Sequence, residues 1–384
     1  MARFSPSEAN DMFRNQVKTF AKKELSQGAK DRAARHSLPR DIVKRLGDMG
    51  LLGIILPEKY GGQNSGWVSL GIGVEEVGRV DFFAGLHMLM VPLTSICIMF
   101  GSELVKQDWL HQIIKGDKVV CFAISEPEAG SDAAAIQGTA TFNDDQYIIN
   151  GEKTSITLGY EGDAGVVFVK TNSKAGAKGV TCFLVPFDLP GVTRYLIKHS
   201  GWKPATAASV IFDDARIPTE YRLGDEGKGF GIFTGSAAAF MRPGLGILAI
   251  SMAEASLDEA ISYVKQRCAF GKPLAKFEGV SFKIAEHATR IEAARLLCYN
   301  TFHLHDQNQP HTKESAMCKW WCPVVAFDAV HDAILLHGHV GYSEEYHLEQ
   351  RLRDILGFEF ADGTAQIMKI IIARELMGKD AVPY

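Results

Sequence analysis

The stretch Ser125–Asp132 reads S-E-P-E-A-G-S-D and follows an apolar run that is typical of a β-strand. Its proline and small residues predict a turn that ends in Ser131 and Asp132. Turns of this kind expose backbone N–H groups and hydroxyls, which can hold a polar ring or a phosphate. Taken alone, the stretch indicates a turn and little more, so its weight depends on the segments around it.

The chain on either side of this turn divides into three zones that differ in hydrophobic period. Residues 1–118 follow a helical period. Residues 119–226 carry short β-rich runs separated by turn signals. Residues 227–384 return to long helices joined by short loops. This order predicts an α+β multi-domain protein with an N-terminal α-helical domain, a central β-barrel-like domain and a C-terminal antiparallel four-helix bundle.

The composition is that of an ordinary globular protein, with 46% hydrophobic and 22% charged residues. The net charge of -4 provides no basic surface for nucleic acid. The seven cysteines form no C-x-x-C pair, so they predict reduced thiols in a cytoplasmic protein.

The N-terminus, M-A-R-F-S-P-S-E, has no apolar signal core and is typical of a helix start, with Ser5 as the cap and Glu8 completing a capping box. Farther along, Phe82–Ser102 is uncharged and approaches the ~20 residues that span a bilayer. Its internal polar residues and the lack of a basic flank favour a buried helix pair instead. The sequence therefore predicts no membrane span.

Several common catalytic patterns are weak or missing. Gly71-Ile72-Gly73 and Gly227-Lys228-Gly229 lack the spacing and the strand–turn–helix setting of a nucleotide-binding loop. His337 and His339 are two residues apart, which does not place both rings on one helical face, so we expect no metal site there. No G-x-S-x-G elbow is present. The sequence predicts neither a Rossmann enzyme, a metal enzyme nor a serine hydrolase.

Four segments, in this order, are more informative than any one of them. They are Ser125–Asp132, Gly151–Thr157 (G-E-K-T-S-I-T), Arg267–Lys272 (R-C-A-F-G-K) and Arg351–Gln366, which contains A-D-G-T-A-Q. Together with the helical–β–helical zones, they resemble the acyl-CoA dehydrogenase family. The resemblance covers nearly the whole chain.

The resemblance implies FAD as cofactor and an acyl-CoA as substrate. The residues that it places against FAD are Phe122, Ile124, Ser125, Ser131, Ile156, Thr157, Arg267, Phe270, Gly338, Thr364 and Gln366. The residues that it places against the acyl-CoA are Ser131, Arg242, Ala361 and Gly363. It also implies a homotetramer in which Arg267 reaches the pyrophosphate of a neighbouring subunit's FAD, and an electron-transferring flavoprotein as acceptor.

This chain departs from the family pattern beside the reacting carbons. Where the family commonly has Y-E-G-T and W-I-T, the chain has A-D-G-T at Ala361–Thr364 and S-I-T at Ser155–Thr157. The resemblance makes Asp362 the base that removes the α-proton, with a side chain roughly 1.5 Å shorter than glutamate. The smaller residues at 361 and 362 indicate a bulky α-substituent such as an alicyclic ring. Small α-branched acyl groups are the nearest competitor.

Two other functions remain open on the sequence alone. Some relatives are flavin oxidases that use aspartate on other carbon acids such as nitroalkanes, although the CoA-contact positions Ser131 and Arg242 weigh against this. A non-catalytic acyl-CoA-binding subunit is compatible with the altered flavin motifs at Ser155, Ala269 and Leu335. If the purified protein is yellow from bound flavin, the non-catalytic subunit is excluded. If acyl-CoA thioesters remove the flavin absorbance, the oxidase is excluded.

Overall fold

The computed structural model describes residues 7–378 and residue 380, apart from the side chains of residues 236–239. Helices form both ends of the chain and strands form its middle, which confirms the predicted fold class. The helices are α1 (Glu8–Phe20), α2 (Ala29–Ala34), α3 (Arg40–Asp48), α4 (Trp67–Gly78), α5 (Phe82–Ile98), α6 (Glu103–Ile114), α7 (Gly229–Ile232), α8 (Ala238–Gln266), α9 (Glu278–Asp306), α10 (Thr312–His337), α11 (Leu348–Phe358) and α12 (Ala365–Met377). The strands are β1 (Val120–Ala123), β2 (Thr139–Asn143), β3 (Gln146–Ile156), β4 (Ala164–Lys170), β5 (Val180–Pro186), β6 (Val192–Leu196), β7 (Ala208–Pro218), β8 (Arg222–Leu223), β9 (Cys268–Ala269) and β10 (Lys272–Pro273).

Helices α3, α4, α6 and α8 and strand β1 pack around α5, which is apolar on every side. All of its residues except Ile96 are buried, as expected for a core helix. Asp81 caps its first turn and also pairs with Arg32 at 2.6 Å. The predicted helix pair is wrong, because the helix continues through Pro92 without a break. Packing on all sides stabilises the helix despite the hydrogen bond that proline removes.

The start of α1 also differs from the sequence prediction. Ser7 caps this helix, and its hydroxyl accepts a hydrogen bond from the N–H of Asn10 at 3.2 Å. The predicted cap, Ser5, lies outside the described residues.

The middle of the chain is a mixed eight-stranded sheet. Paired strands follow the order β6-β7-β3-β2-β4-β5-β8, and β1 lies parallel to β4 with Val120 opposite Ala164. Nearly all of β4 and β5 is buried, so both faces of the sheet are covered at its centre. Strands β3 and β7 pair over most of their length, with a bulge between Lys153 and Ile156. The sheet thereby holds the ends of β1 and β3 in place for the site described below.

The C-terminal helices pack around α10, which contacts α8, α9, α11 and α12. All seven cysteines are free, and the Sγ atoms of Cys298 and Cys322 lie 3.5 Å apart in this core. Glu75 of α4 is buried, and its carboxylate forms ion pairs with Arg14 at 2.7 Å and with Arg295 at 2.6 Å. This network joins α1 and α9 to α4, so the helices at the two ends of the chain share one core.

Among the described residues, no single helix combines the length and the hydrophobicity needed to cross a bilayer. The pair Gly229–Gly235 and Phe240–Gln266, bent by 42°, has that length and hydrophobicity when taken together.

Candidate active site

The loop between α11 and α12 carries the predicted base. Asp362 and Gly363 both have left-handed backbone conformations, with φ of 56° and 98°. Thr364 then caps α12 by accepting a hydrogen bond from the N–H of Ile367 at 3.3 Å. A left-handed aspartate costs roughly 1 kcal/mol, so the surrounding contacts must hold the turn. The strained residue is the one that the sequence predicts to be catalytic.

The carboxylate of Asp362 lies in an enclosed, charged environment. The residue as a whole is half-buried, but its Oδ2 atom is enclosed and has no hydrogen-bond partner among the described residues. Burial raises the pKa of Asp362 to about 6, although the positive charges of Arg242 and Lys319 oppose the rise. A carboxylate with this pKa is ionised at neutral pH and is a stronger base than an exposed aspartate.

Arg242 on α8 faces the same carboxylate. Its Nε atom is buried and has no partner among the side chains and backbone groups that the structure describes. Burial lowers the pKa of this guanidinium, while the attraction of Asp362 opposes the change. Native proteins rarely leave buried polar atoms unpaired. The two unpaired atoms, on Asp362 and Arg242, therefore point to a ligand that completes this site.

A third charged group, Lys319 of α10, lies beneath the loop. Its side chain is 1% exposed, and its Nζ donates hydrogen bonds to the carbonyl of Phe358 at 2.5 Å and the carbonyl of Gly363 at 3.1 Å. Burial lowers the pKa of Lys319 to about 8, against the attraction of Asp362. The sequence analysis missed this residue.

Two of the predicted flavin-contact segments lie side by side on the sheet. The carbonyl of Ser125, just after β1, accepts a hydrogen bond from the N–H of Thr154 in β3 at 2.9 Å. Phe122 is half-buried, and Thr157, just after β3, is half-buried too. The side chain of Ile156 is instead buried in the core of the sheet. Apolar surface and hydroxyls therefore meet where the ends of β1 and β3 come together.

A buried ion pair supports these strand ends. Lys153 is 1% exposed, and its Nζ lies 2.6 Å from Oε1 of Glu126. Glu126 also accepts hydrogen bonds from the N–H groups of Gln137 and Gly138 at 2.5 and 2.9 Å, and Lys153 donates to the carbonyl of Ile124 at 3.2 Å. The glutamate of S-E-P-E and the lysine of G-E-K-T-S-I-T therefore have a structural role that the sequence analysis did not foresee.

Four other predicted FAD contacts, on three separate elements of the C-terminal part of the chain, are exposed. Phe270 and Gly271 form the turn between β9 and β10, both with positive φ, as in a two-residue hairpin. Phe270 is 96% exposed. Arg267 and Gln366 are also exposed. Gly338 has a positive φ at the end of α10 and, like Gly271, has nothing within 4 Å of the position of an added Cβ.

Two histidines, His337 and His339, flank Gly338. His337 stacks on Tyr263 with ring centroids 4.4 Å apart, and its Nδ1 lies 2.7 Å from the carbonyl of Ala333. This is the geometry of a packed structural histidine. Over the described part of the chain, no group of three His, Cys, Asp or Glu side chains is arranged to hold a metal ion.

These residues fit FAD chemically. Around the ends of β1 and β3, Phe122 supplies apolar surface, and the hydroxyls of Ser125 and Thr157 supply polar atoms for a flat ring with a polar edge. The turn after Ser125 is open, because a Cβ added to Gly130 would meet nothing within 4 Å. The guanidinium of Arg267 matches a pyrophosphate, since it offers several donors to phosphate oxygens.

Comparison with known proteins gives matches along almost the entire chain. Family models of the acyl-CoA dehydrogenase match in three consecutive parts: the N-terminal domain at residues 7–117, the middle domain at residues 121–215 and the C-terminal domain at residues 227–377. The resemblance drawn from the four sequence motifs is thereby confirmed.

Individual relatives agree with the family models. The chain is 37% identical over 373 residues to the mitochondrial short-chain specific acyl-CoA dehydrogenase of Rattus norvegicus, covering 96% of this chain and 90% of the relative. It is 34% identical over 381 residues to subunit CarC of the caffeyl-CoA reductase-Etf complex of Acetobacterium woodii, covering 97% and 99%. The solved structure of butyryl-CoA dehydrogenase from Megasphaera elsdenii superposes with a TM-score of 0.93 at 31% identity, covering 98% and 100%.

Proposed function

This chain belongs to the acyl-CoA dehydrogenase family, and we propose that it dehydrogenates an acyl-CoA with a bulky α-branched or alicyclic acyl group, using Asp362 as the base. Family membership makes the chain an FAD-dependent oxidoreductase that acts on a CH–CH bond. The size of the acyl group and the identity of the base are the parts that we propose.

In the proposed reaction, the carboxylate of Asp362 removes the α-proton of the thioester and becomes a carboxylic acid. FAD, when bound, supplies the acceptor for the hydride that leaves the β-carbon. The substrate loses one proton and one hydride, and its α and β carbons become joined by a double bond. Arg242 supplies positive charge near Asp362, which favours the ionised form of the base before the proton moves.

The observation that carries the assignment is the enclosed, unpaired Oδ2 of Asp362. A buried carboxylate that only supported the fold would be expected to accept hydrogen bonds from its surroundings, as the buried Asp354 does from Trp202 at 2.6 Å. Asp362 instead keeps one oxygen free of described partners, and this oxygen is what distinguishes it from Asp354, because burial raises the pKa of both carboxyls to about 6. Those are the properties of a general base.

The substrate proposal depends on side-chain volume. Aspartate at 362 is shorter than the usual glutamate by about one methylene, and alanine at 361 replaces a phenol ring of the family pattern. Both residues lie in the loop that contains the base. A substituent on the α-carbon can use the space that these replacements leave. A ring or a branch is therefore favoured over a straight fatty chain.

We propose that the two separated groups of FAD contacts belong to one site that is completed by a second subunit. Phe122, Ser125 and Thr157 lie at the strand ends, whereas Arg267 and Phe270 lie on an exposed hairpin. Phe270 is 96% exposed on the same hairpin as the exposed Arg267, so the hairpin offers apolar surface and a cation to a neighbouring subunit. A homotetramer in which the hairpin reaches a neighbour's FAD accounts for that exposure.

Two further proposals follow from the family. We propose an electron-transferring flavoprotein as electron acceptor, because a 34% identical relative is a subunit of a reductase-Etf complex. We propose a cytoplasmic location, because seven free cysteines fit a reducing compartment.

Anaerobic stopped-flow measurement of flavin absorbance tests the proposed reaction. A panel of ring, branched and straight-chain acyl-CoAs is mixed with wild type and with Asp362→Asn. The asparagine preserves size and polarity but cannot accept the proton, so reduction slows by on the order of a thousandfold with every thioester. Rapid reduction of Asp362→Asn would assign the base to another group. Fastest reduction of the wild type by a straight chain would reject the bulky substrate and leave the base intact.

Ala361→Tyr tests the volume argument separately. The phenol fills the space assigned to the α-substituent, so ring thioesters lose activity while short straight chains retain it. The readout is the ratio of kcat/KM for the two classes. An unchanged ratio would show that residue 361 does not line the acyl pocket. Ala361→Ser, which adds little volume, is the matched control.

A further inference from the structure

We propose that Lys319 is the positioning residue for the catalytic loop: its ammonium holds the carbonyls of Phe358 and Gly363 together, and thereby fixes Asp362 against the substrate. This inference rests on the proposed role of Asp362 as the base. It assigns a function to a side chain that lies outside the family motifs in the sequence.

The geometry places the ammonium at both ends of the loop. Phe358 is the last residue of α11, where backbone carbonyls have no partner within the helix. Gly363 directly precedes Thr364, the cap of α12. The hydrogen bonds from Lys319, of 2.5 and 3.1 Å, join these two points. The four residues between them, which include Asp362, become a closed loop with fixed ends.

The loop needs such support because of its backbone. Asp362 and Gly363 are successive residues with positive φ, and such strain persists only where neighbouring structure holds it. A lysine that is 1% exposed is rare unless it is paired. Here the carbonyl partners of Lys319 belong to the segment that carries the base. The desolvation of the ammonium is therefore offset by contacts that also hold the loop in shape.

The charge of Lys319 acts on the base as well. The charged groups around Lys319 are Asp362 and Glu359 of the loop and Arg242 of α8. Lys319 and Arg242 are the two groups that lower the pKa of Asp362 against its burial. Removal of the ammonium takes away one of them, so the pKa of Asp362 rises. The variant enzyme then needs a higher pH to ionise its base.

Two substitutions separate position from charge. Lys319→Met keeps most of the apolar stem and removes both hydrogen bonds and the charge. Lys319→Gln keeps N–H donors, on a side chain that is shorter by one bond, and removes the charge. Lys313→Met is the matched control: it lies on the same helix, and its ion-pair partner among the described residues is its neighbour Glu314 at 3.2 Å. Each is purified as the FAD-loaded enzyme.

Hydrogen–deuterium exchange reports on the loop independently of turnover. In wild type, peptides over residues 358–364 should exchange more slowly than the exposed turn 174–178, because the loop is held at both ends. In Lys319→Met these peptides should exchange at least about tenfold faster than in wild type, and in Lys319→Gln the increase should be smaller. The exchange of other peptides should not change. Wild-type exchange over 358–364 as fast as at the exposed turn 174–178 would overturn the proposal without any variant, even if the substitutions prevent folding.

Flavin reduction by the fastest thioester of the panel supplies the second readout. Lys319→Met should reduce its flavin up to roughly a hundredfold more slowly, the cost of displacing a reacting group by about 1 Å. The midpoint of its pH profile should move upward, and Lys319→Gln should share that movement. If Lys319→Met has the deuterium exchange and the pH midpoint of the wild type while Asp362→Asn reduces its flavin slowly, the role of Lys319 is refuted and the proposed base is not. A fast Asp362→Asn would refute the proposed base instead.

Discussion

Replacement of the proposed base should make the protein more stable, and the gain should depend on pH. Burial raises the pKa of Asp362 from 3.8 to about 6. Below pH 3.8 the carboxyl is protonated in both the folded and the unfolded state, so it makes no difference. Above pH 6 it is ionised in both states, but the folded environment disfavours the charge. The contribution of Asp362 to stability therefore falls as pH rises from about 4 to about 6.

The size of the effect follows from the shift. A difference of about two pKa units corresponds to about 3 kcal/mol, at 1.36 kcal/mol per unit. With these two pKa values, linkage gives a penalty of about 1 kcal/mol at pH 4.5 and about 3 kcal/mol at pH 7.5. Asp362→Asn removes the ionisation and hence the penalty. Its free energy of unfolding relative to wild type should grow by about 2 kcal/mol between these two pH values.

Urea unfolding at several pH values measures this difference, at a fixed concentration of protein and of FAD because both change the apparent stability. The pH trend is the decisive quantity, since it does not depend on the small difference between asparagine and a neutral aspartic acid. Asp188→Asn removes an exposed carboxylate and serves as the control for the change in net charge. A stability difference for Asp362→Asn that is the same at pH 4.5 and pH 7.5 would refute the argument, because it would mean that the carboxylate is not desolvated.

Three other substitutions test contacts that hold the site together. Lys153→Met leaves Glu126 buried without its cation and should lower the free energy of unfolding in urea by about 3–5 kcal/mol. Combining it with Glu126→Gln should recover most of that loss, and no recovery would show that the pair is not coupled. Trp202→Ala removes an indole whose Nε1 donates to the carbonyl of Asp354 at 2.7 Å, and should lower stability by about 3 kcal/mol, whereas Trp202→Phe should keep part of it. Arg267→Ala should weaken FAD binding by on the order of tenfold, as expected for a lost charge-assisted hydrogen bond, with unchanged circular dichroism; equal FAD affinity would contradict the proposed contact.

The outline of the fold could be predicted because long stretches of this chain follow one period. The helices observed at Glu278–Asp306 and Thr312–His337 lie within residues 227–384, for which the sequence predicts long helices. Strands β2 and β6 bury few of their residues, so their alternation in the sequence is weak. For Phe82–Ser102 the sequence predicts a pair of helices. Local sequence could not show that α5 is surrounded by other helices, which is what stabilises it as one piece.

The site was predictable to the extent that its residues lie in contiguous motifs. Asp362 was found because A-D-G-T resembles a short pattern with a known position in the chain. Lys319 had no such signal, since its carbonyl partners lie 39 and 44 residues farther along. The pairing of Glu126 with Lys153 joins two motifs across 27 residues. Interactions of this kind depend on the packing of separate elements, which a one-dimensional pattern does not contain.

Burial and positive charge have opposite effects on the pKa of Asp362, which explains why a carboxylate and two cations are buried together. Burial alone would raise the pKa of Asp362 further and leave more of it protonated at pH 7, where it could not accept a proton. Arg242 and Lys319 oppose this effect and hold the pKa at about 6. At pH 7 about nine in ten carboxylates are then ionised, and the pKa still lies close to the working pH, where general bases are most effective. Burial raises the basicity of Asp362, and the cations keep this proposed base ionised. Loss of either cation should therefore shift the pH profile of reduction upward.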